Sequence, residues 1–541
     1  MKTKILTLVC FLSIINNVYS QERINADVTT AMQHASADIM KADITYLADD
    51  KLLGRQPGKP GYQMAVDYVV SELQKNGVKP AGEKGTWVQT ILMRKATVIP
   101  GFSASLNAEG IETLLVGGKD IALTPNPIAA QSSVDAGLVF VGYGITAPGL
   151  NYDDYKDLNV KGKVVLVIRG TPETFPSSDA AHHQNLVTIQ SNALAHGAVG
   201  VILCTATSNS RGFMNPRPST SMLDSKGKLV SSSSYPFPKI KIVGMLSNPI
   251  CQTIFSKAGK QLAETVTLLK SGKPQSFVTD FKLKASYQST YTDFNTFNVA
   301  GKIAGTDPKL KKEFVVHSAH LDHVGVGAVV AGDSIYNGAH DNASGVASLL
   351  QITKIYQNLK VKPKRSVLIL MVTGEEMGLL GSSYFATKPT VPVKNIVANV
   401  NTDMPAIIAP LLSVAPLGAE HSTLINPVSE AASHLGLTVE ADPEPKENRF
   451  VRSDQYSFIK QGIPALHIKY GNKTADGKND LNLFVEKWRA KYYHKPQDDI
   501  NGIFDFEAGR KYAQLNFLIG YLVANDEQRP SWNPGDIFEK K

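Results

Sequence analysis

After about residue 277, short apolar runs alternate with longer amphipathic stretches. EFVVHSAHLD, SVLILMVTGEE, NIVANVNTDM and IPALHIKYG are separated by segments such as SGVASLLQITKIYQNL, and the alternation holds to about residue 526. Runs that are apolar at nearly every position belong to strands buried on both faces, so this grammar predicts an α/β fold: a mostly parallel, mixed sheet sandwiched by helices. Residues 25–78 carry helical periodicity, interrupted at GRQPGKPG, and AVDYVVSELQKNGV stops on Gly77. From about residue 130 the texture changes. AGLVFVGYGITAPG and KGKVVLVIRG read as strands, NALAHGAVGVILCTATS as a helix entering a strand, and the Ser- and Pro-rich stretch 211–238 as an exposed loop. The expected organisation is an α/β domain begun over 21–130, interrupted by a β-rich insertion over 131–275, and resumed over 276–527. A tail over 528–541 is expected to be surface-bound or loose.

Composition narrows this picture. A chain of 541 residues exceeds what one hydrophobic core supports, and 43% hydrophobic with 19% charged residues is ordinary globular material. The first 21 residues place Lys2 and Lys4 before an apolar stretch that ends near the small residue Ser20, which reads as a secretory signal over 1–20. Val9 before Cys10 argues against a lipid-anchored form. The apolar part is too short for an ordinary membrane-spanning helix and no later run reaches about 18 residues, so no membrane span is expected. The expected product is secreted or periplasmic. Cys204 and Cys251 then remain, allowing at most one disulfide. The net charge of +8 is spread along the chain, and the densest basic run, KVKPKR at 360–365, reads as a solvated loop, so no nucleic-acid partner is expected.

The candidate chemistry sits at the carboxyl ends of the predicted strands, where open α/β sheets bind ligands. His320 and Asp322 close the first run, Glu375 and Glu376 the second, and Asp403 the third. Asp341 lies in NGAHDNASG just before a helix, and His494 in YYHKPQDD after the fourth run. Two imidazoles and three carboxylates form a nitrogen and oxygen set suited to zinc. That many donors points to two cations sharing a carboxylate, spaced about 3.5–4 Å apart as in two-metal hydrolases. Glu375 and Glu376 are neighbours at a turn, so one can coordinate while the other faces the attacking water. A glycosidase pair is excluded, because that chemistry needs carboxyls on opposite sides of one bond.

Taken in order, HLDH, GAHDNASG, TGEEMGLLGS, NTDM and YHKPQDD resemble the co-catalytic zinc metallopeptidases, the family of bacterial leucyl aminopeptidases, aminopeptidase Y and glutamate carboxypeptidase. Residues 40–78 resemble that family's opening segment, and the insertion resembles its protease-associated domain. The resemblance implies two Zn2+ ions: His320 and Asp403 on one, Glu376 and His494 on the other, Asp341 bridging. It implies Glu375 as general base, and Asp322 as the carboxylate that receives a ring N–H of His320. Gly345 is expected to open the following helix without crowding the site. His340 stands where the family commonly has an acid, and Gln455 where it often has His. Tyr456, His323 and Arg452 are candidate substrate contacts. His317 is expected in the core, His182 and His183 in an insertion loop, and His34, His196, His421, His434 and His467 in structural roles. The implied activity is exopeptidase action on peptides, first as an aminopeptidase. The alternatives are a glutamate-releasing carboxypeptidase, for which Arg449 and Arg452 would grip a substrate carboxylate, and a receptor-like binding protein on the same scaffold. The insertion is either a wall over the site or a passive module.

Overall fold

The computed structural model describes residues 23–206, 217–405 and 407–539. The proposed signal segment and Cys10 lie outside the described residues. Four parallel strands form the centre of the sheet, in the order Ser366–Val372, Phe314–His320, Ile396–Asn401 and Ala465–Tyr470. Antiparallel strands flank them: the end of Phe277–Ile303 on one side and Ser413–Leu417 on the other. The continuous apolar runs are explained by burial on both faces. Val315, Ala319, Val367 and Ile369 face one core with the helices Ala37–Leu47, Pro60–Lys75, Ser344–Asn358 and Phe506–Asn525. Val316, Leu368 and Leu370 face the opposite core, with Phe385, Tyr456 and Phe458.

Local chemistry sets the helix limits. Ser36 accepts from the Ile39 N–H, and Asp505 from the Ala508 N–H, satisfying donors that an open helix start leaves free. Pro60 begins the helix Pro60–Lys75, and Gly77, at φ +74°, turns the chain just past its end.

Two long strands carry the chain between the two units. Val88–Val98 pairs with the middle of Phe277–Ile303, whose first part pairs instead with Ser103–Ala108 and Gln131–Phe140. The inserted unit has its own core, drawn from residues between Val98 and Tyr287. Its centre is again parallel: Gln131–Phe140, Val164–Ile168, Gly200–Cys204 and Ile242–Leu246. Within the expected loop 211–238, Ser219–Leu223 and Leu229–Ser232 are strands, the first paired with Leu92–Ala96, and Met222 and Tyr235 are buried. The serines masked a strand that exists because the peptidase sheet offers it a partner. Of the two expectations for the tail, surface-bound or loose, the structure shows the first: Trp532 Nε1 donates to the Gly462 carbonyl, Phe538 is buried, and His421 pairs with Asp536 at 2.7 Å. KVKPKR is not wholly solvated either, since Arg365 is buried against Glu313. Cys204 and Cys251 are both buried as free thiols. Among the described residues, no helix is long and apolar enough to cross a membrane.

Candidate metal centre

His320 ends its strand, Asp403 follows the next strand by two residues, and the Glu375–Glu376 turn follows Ser366–Val372. Asp341 lies just ahead of the helix Ser344–Asn358, and His494 just after the helix Leu481–Tyr492. The fold gathers them at one end of the sheet. His320 Nε2 stands 3.3 Å from Asp341 Oδ1 and 3.5 Å from Asp403 Oδ1. His494 Nε2 stands 3.2 Å from Asp341 Oδ2 and 3.2 Å from Glu376 Oε2. Asp341 thus offers one oxygen to each side. Zinc bonds of about 2.0–2.2 Å arranged tetrahedrally give edges between donor atoms of roughly 3.3–3.6 Å, and these separations lie at or near that range. His320 Nε2 and Glu376 Oε1 are buried without a hydrogen-bond partner among the described residues, the condition expected of atoms shaped for a cation. The donors fit a pair of divalent metals.

The charges respond accordingly. Burial favours the neutral carboxyl at Asp341, but the imidazoles of His320 and His494 outweigh it and hold its pKa well below the ordinary value. Burial lowers the His494 pKa, yet Asp341 and Glu376 raise it to about 10. Glu375 goes the other way. Burial, reinforced by Glu376, Asp403 and Asp454, pushes its carboxyl well up, with His320 opposing. Neighbouring glutamates therefore differ in character, as a ligand and a proton acceptor should.

A surrounding set of residues fixes the donors. Asp498 accepts from the backbone N–H groups of His340 and Asp341, at 2.9 and 3.0 Å. His467 Nε2 and Lys469 Nζ both reach the Asp403 carbonyl, at 2.9 and 2.7 Å. Arg55, fully buried, donates to the carbonyls of Leu47, Leu321, Asn337 and Gly338, tying the N-terminal segment to the loops that carry His320 and Asp341. Burial lowers its pKa to about 10, against the pull of Asp341 and Asp322, so it stays a cation at neutral pH beside a carboxylate-rich centre. Beside the donors lies a cavity open to solvent, lined by Asp341, Glu375 and Asp403 and walled by Met404, Tyr470, Val485, Trp488 and Tyr493.

Residues 298–515 match peptidase family M28, and residues 134–233 match the PA domain. The chain carries an M28 peptidase domain with a PA domain inserted. The probable lipoprotein aminopeptidase LpqL of Mycobacterium tuberculosis is 26% identical over 528 residues, covering 94% of this chain and 89% of its own. Carboxypeptidase Q of Homo sapiens is 27% identical over 241 residues, 44% of each chain. Among solved structures, an aminopeptidase from Aneurinibacillus sp. strain AM-1 aligns with a TM-score of 0.49 at 19% identity, covering 95% of this chain and 98% of its own.

Several expectations change inside the M28 domain. The Asp322 carboxylate does not receive the His320 ring. Its oxygens lie 3.2 and 3.4 Å from the backbone N–H donors of Glu375 and Glu376, and His320 Nδ1 turns instead to the Asp322 main-chain carbonyl at 3.1 Å. Asp322 therefore shapes the glutamate turn, because a strand end places its side chain under the next strand's exit. Tyr456 does not line the cavity. It is 1% exposed, and its hydroxyl meets His182 Nδ1 of the PA domain at 2.7 Å. His182 and His183 lie on the helix Ser177–His183 rather than in a loop, His182 against Phe538 and His183 against Phe175. Gln455 is spent on Asn401 and the Phe450 carbonyl. His340 stacks on Phe504 and bonds the Ile503 carbonyl. Arg452 lines the cavity and pairs at the surface with Glu447. The PA domain borders a second cleft, in which Ser233, Ser234 and Arg169 face Glu376 and Met377. Asp498, Arg55, His467 and Tyr493 had no assigned site role in the sequence; for Asp498 and Tyr493 the signal lay beside His494, in YYHKPQDD itself.

Proposed function

We propose that the protein is a zinc aminopeptidase that removes N-terminal residues from peptides outside the cytoplasm. His320 and Asp403 would hold one zinc ion, Glu376 and His494 the other, and Asp341 both. Such a pair, when bound, polarises the scissile carbonyl and lowers the pKa of the attacking water. Glu375 faces the cavity beside Asp403, where its raised basicity suits it to accept the water's proton and pass it to the leaving amine nitrogen. The residue lost from the substrate occupies the cavity walled by Met404, Val485, Trp488 and Tyr493.

One observation favours an N-terminal over a C-terminal substrate end. The cavity's arginines are already paired with carboxylates: Arg449 with Asp442 and, at 2.9 Å, Glu444; Arg489 with Glu447 at 3.3 Å; Arg452 with the same Glu447 at 3.3 Å. Arg449, the buried one and the first candidate to grip a substrate carboxylate, has no charge to spare. The sequence similarity to LpqL along most of both chains supports the same reading.

Hydrolysis of dipeptides blocked at either end tests this directly. Acetylating the N-terminus is expected to abolish cleavage while a C-terminal amide is tolerated, and chelation is expected to stop turnover until zinc is restored. The reverse blocking pattern would make the protein a carboxypeptidase.

A further inference from the structure

His323 ends the HLDH motif and has no role in the reading above. It is 1% exposed, and neither ring nitrogen finds a hydrogen-bond partner among the described residues. An imidazole in a satisfied core does not look like this; His317, three residues before His320, bonds the Tyr356 hydroxyl. The His323 ring is also pinned. A Cβ on Gly338 would lie 2.5 Å from its Cγ and Cδ2, so that glycine, at φ +62°, lets the chain leading to Asp341 pass against the ring, while His494 packs edge-on at 5.8 Å. Held this way, Nδ1 stands 2.7 Å from Glu376 Oε1 and 4.0 Å from Asp341 Oδ1. Nδ1 and Oε1 are thus two buried polar atoms in direct contact, shut off from solvent. His323, Asp341 and Glu376 together form a group able to hold a metal ion.

We propose that His323 Nδ1 is a further donor to the cation on the Glu376 side, beside His494. The two metal positions are then unequal. The Glu376 side has two imidazoles with its carboxylates, and the His320 side has one. Borderline cations such as zinc prefer the set richer in imidazole, so the Glu376 position fills first and empties last. This inference rests on the two-metal reading.

X-ray absorption of the zinc-loaded full chain counts imidazoles without any mutation. Three imidazoles shared by two zinc ions are expected; two shared by two would overturn the proposal. Stepwise zinc titration of His323→Ala and His323→Gln by calorimetry is expected to show one of the two sites weakened at least tenfold and the other unchanged. The cobalt-loaded forms should lose the absorption bands of that one site. Unchanged binding constants and cobalt bands in a folded variant would also overturn it, as would weakened binding with unmoved bands, which would make His323 a support and not a ligand. A wild-type chain that binds no divalent ion would instead remove the two-metal reading itself.

Discussion

The division of labour between Glu375 and Glu376 is decided by a few ångströms of surroundings. Glu376 faces imidazoles, whereas Glu375 faces carboxylates in a buried pocket, and burial favours its protonated form. Glu375→Gln is therefore expected to retain both zinc ions while turnover falls by about 10²–10⁴, read as kcat beside metal content on the same preparation. Asp341→Asn should do the opposite and lose metal, since both sides of the centre draw on that carboxylate. The imidazoles carry a pH dependence of known sign. In the metal-free protein His494 stays protonated up to about pH 10, held by Asp341 and Glu376. Zinc requires the neutral ring, so uptake must expel that proton, and apparent zinc affinity should rise with pH below 10. Calorimetry in buffers of different ionisation enthalpy reads the released proton directly. At this scale the sequence was most legible for the candidate donors, because all but His494, which follows a helix end, stand after a strand or just before a helix. It was least legible for Asp322 and Tyr456, whose partners come from segments 53 and 274 residues away.

Between residues and fold stand the turns that aim the donors. Gly345, in the first turn of its helix, lies so close to neighbouring segments that a Cβ would sit 2.2 Å from Asn342 Oδ1 and 2.6 Å from the Thr402 carbonyl. Those atoms belong to the stretches that carry Asp341 and Asp403, and backbone cannot yield as a side chain can. Gly345→Ala is expected to cost about 1–3 kcal/mol and to weaken zinc binding at the same time, measured as a lowered Tm and a lowered metal content. Helix and strand limits in the peptidase half were readable, since apolar runs, caps and glycines act locally. The strand Ser219–Leu223 was not, because its pattern of serines acquires meaning only when the strand Val88–Val98 lies beside it.

Across the whole molecule, the PA domain is joined through two continuous strands and also held by side chains at a distance from the cavity. His182 meets Tyr456 there, next to Phe538 of the C-terminal tail. His182→Ala is expected to lower stability by about 0.5–1.5 kcal/mol in urea denaturation, with kcat on a small anilide substrate unchanged. A large loss of kcat at full folding would place Tyr456 in the chemistry after all. The tail itself serves as packing: Trp532 and Phe538 cover apolar surface that a loose terminus would leave open.

The sequence by itself determined the alternation of buried strands and helices, the interruption by a second unit, and a set of candidate donors, because each depends on patterns within a few residues or on motifs in a set order. The tertiary structure alone decided which candidate donor faces which, that Arg449 is already paired with carboxylates, where the tail lies, and that His323 is buried against Glu376. Those facts are distances between segments far apart in the chain, and a distance of that kind is set by how sheets and helices pack, which local sequence does not encode.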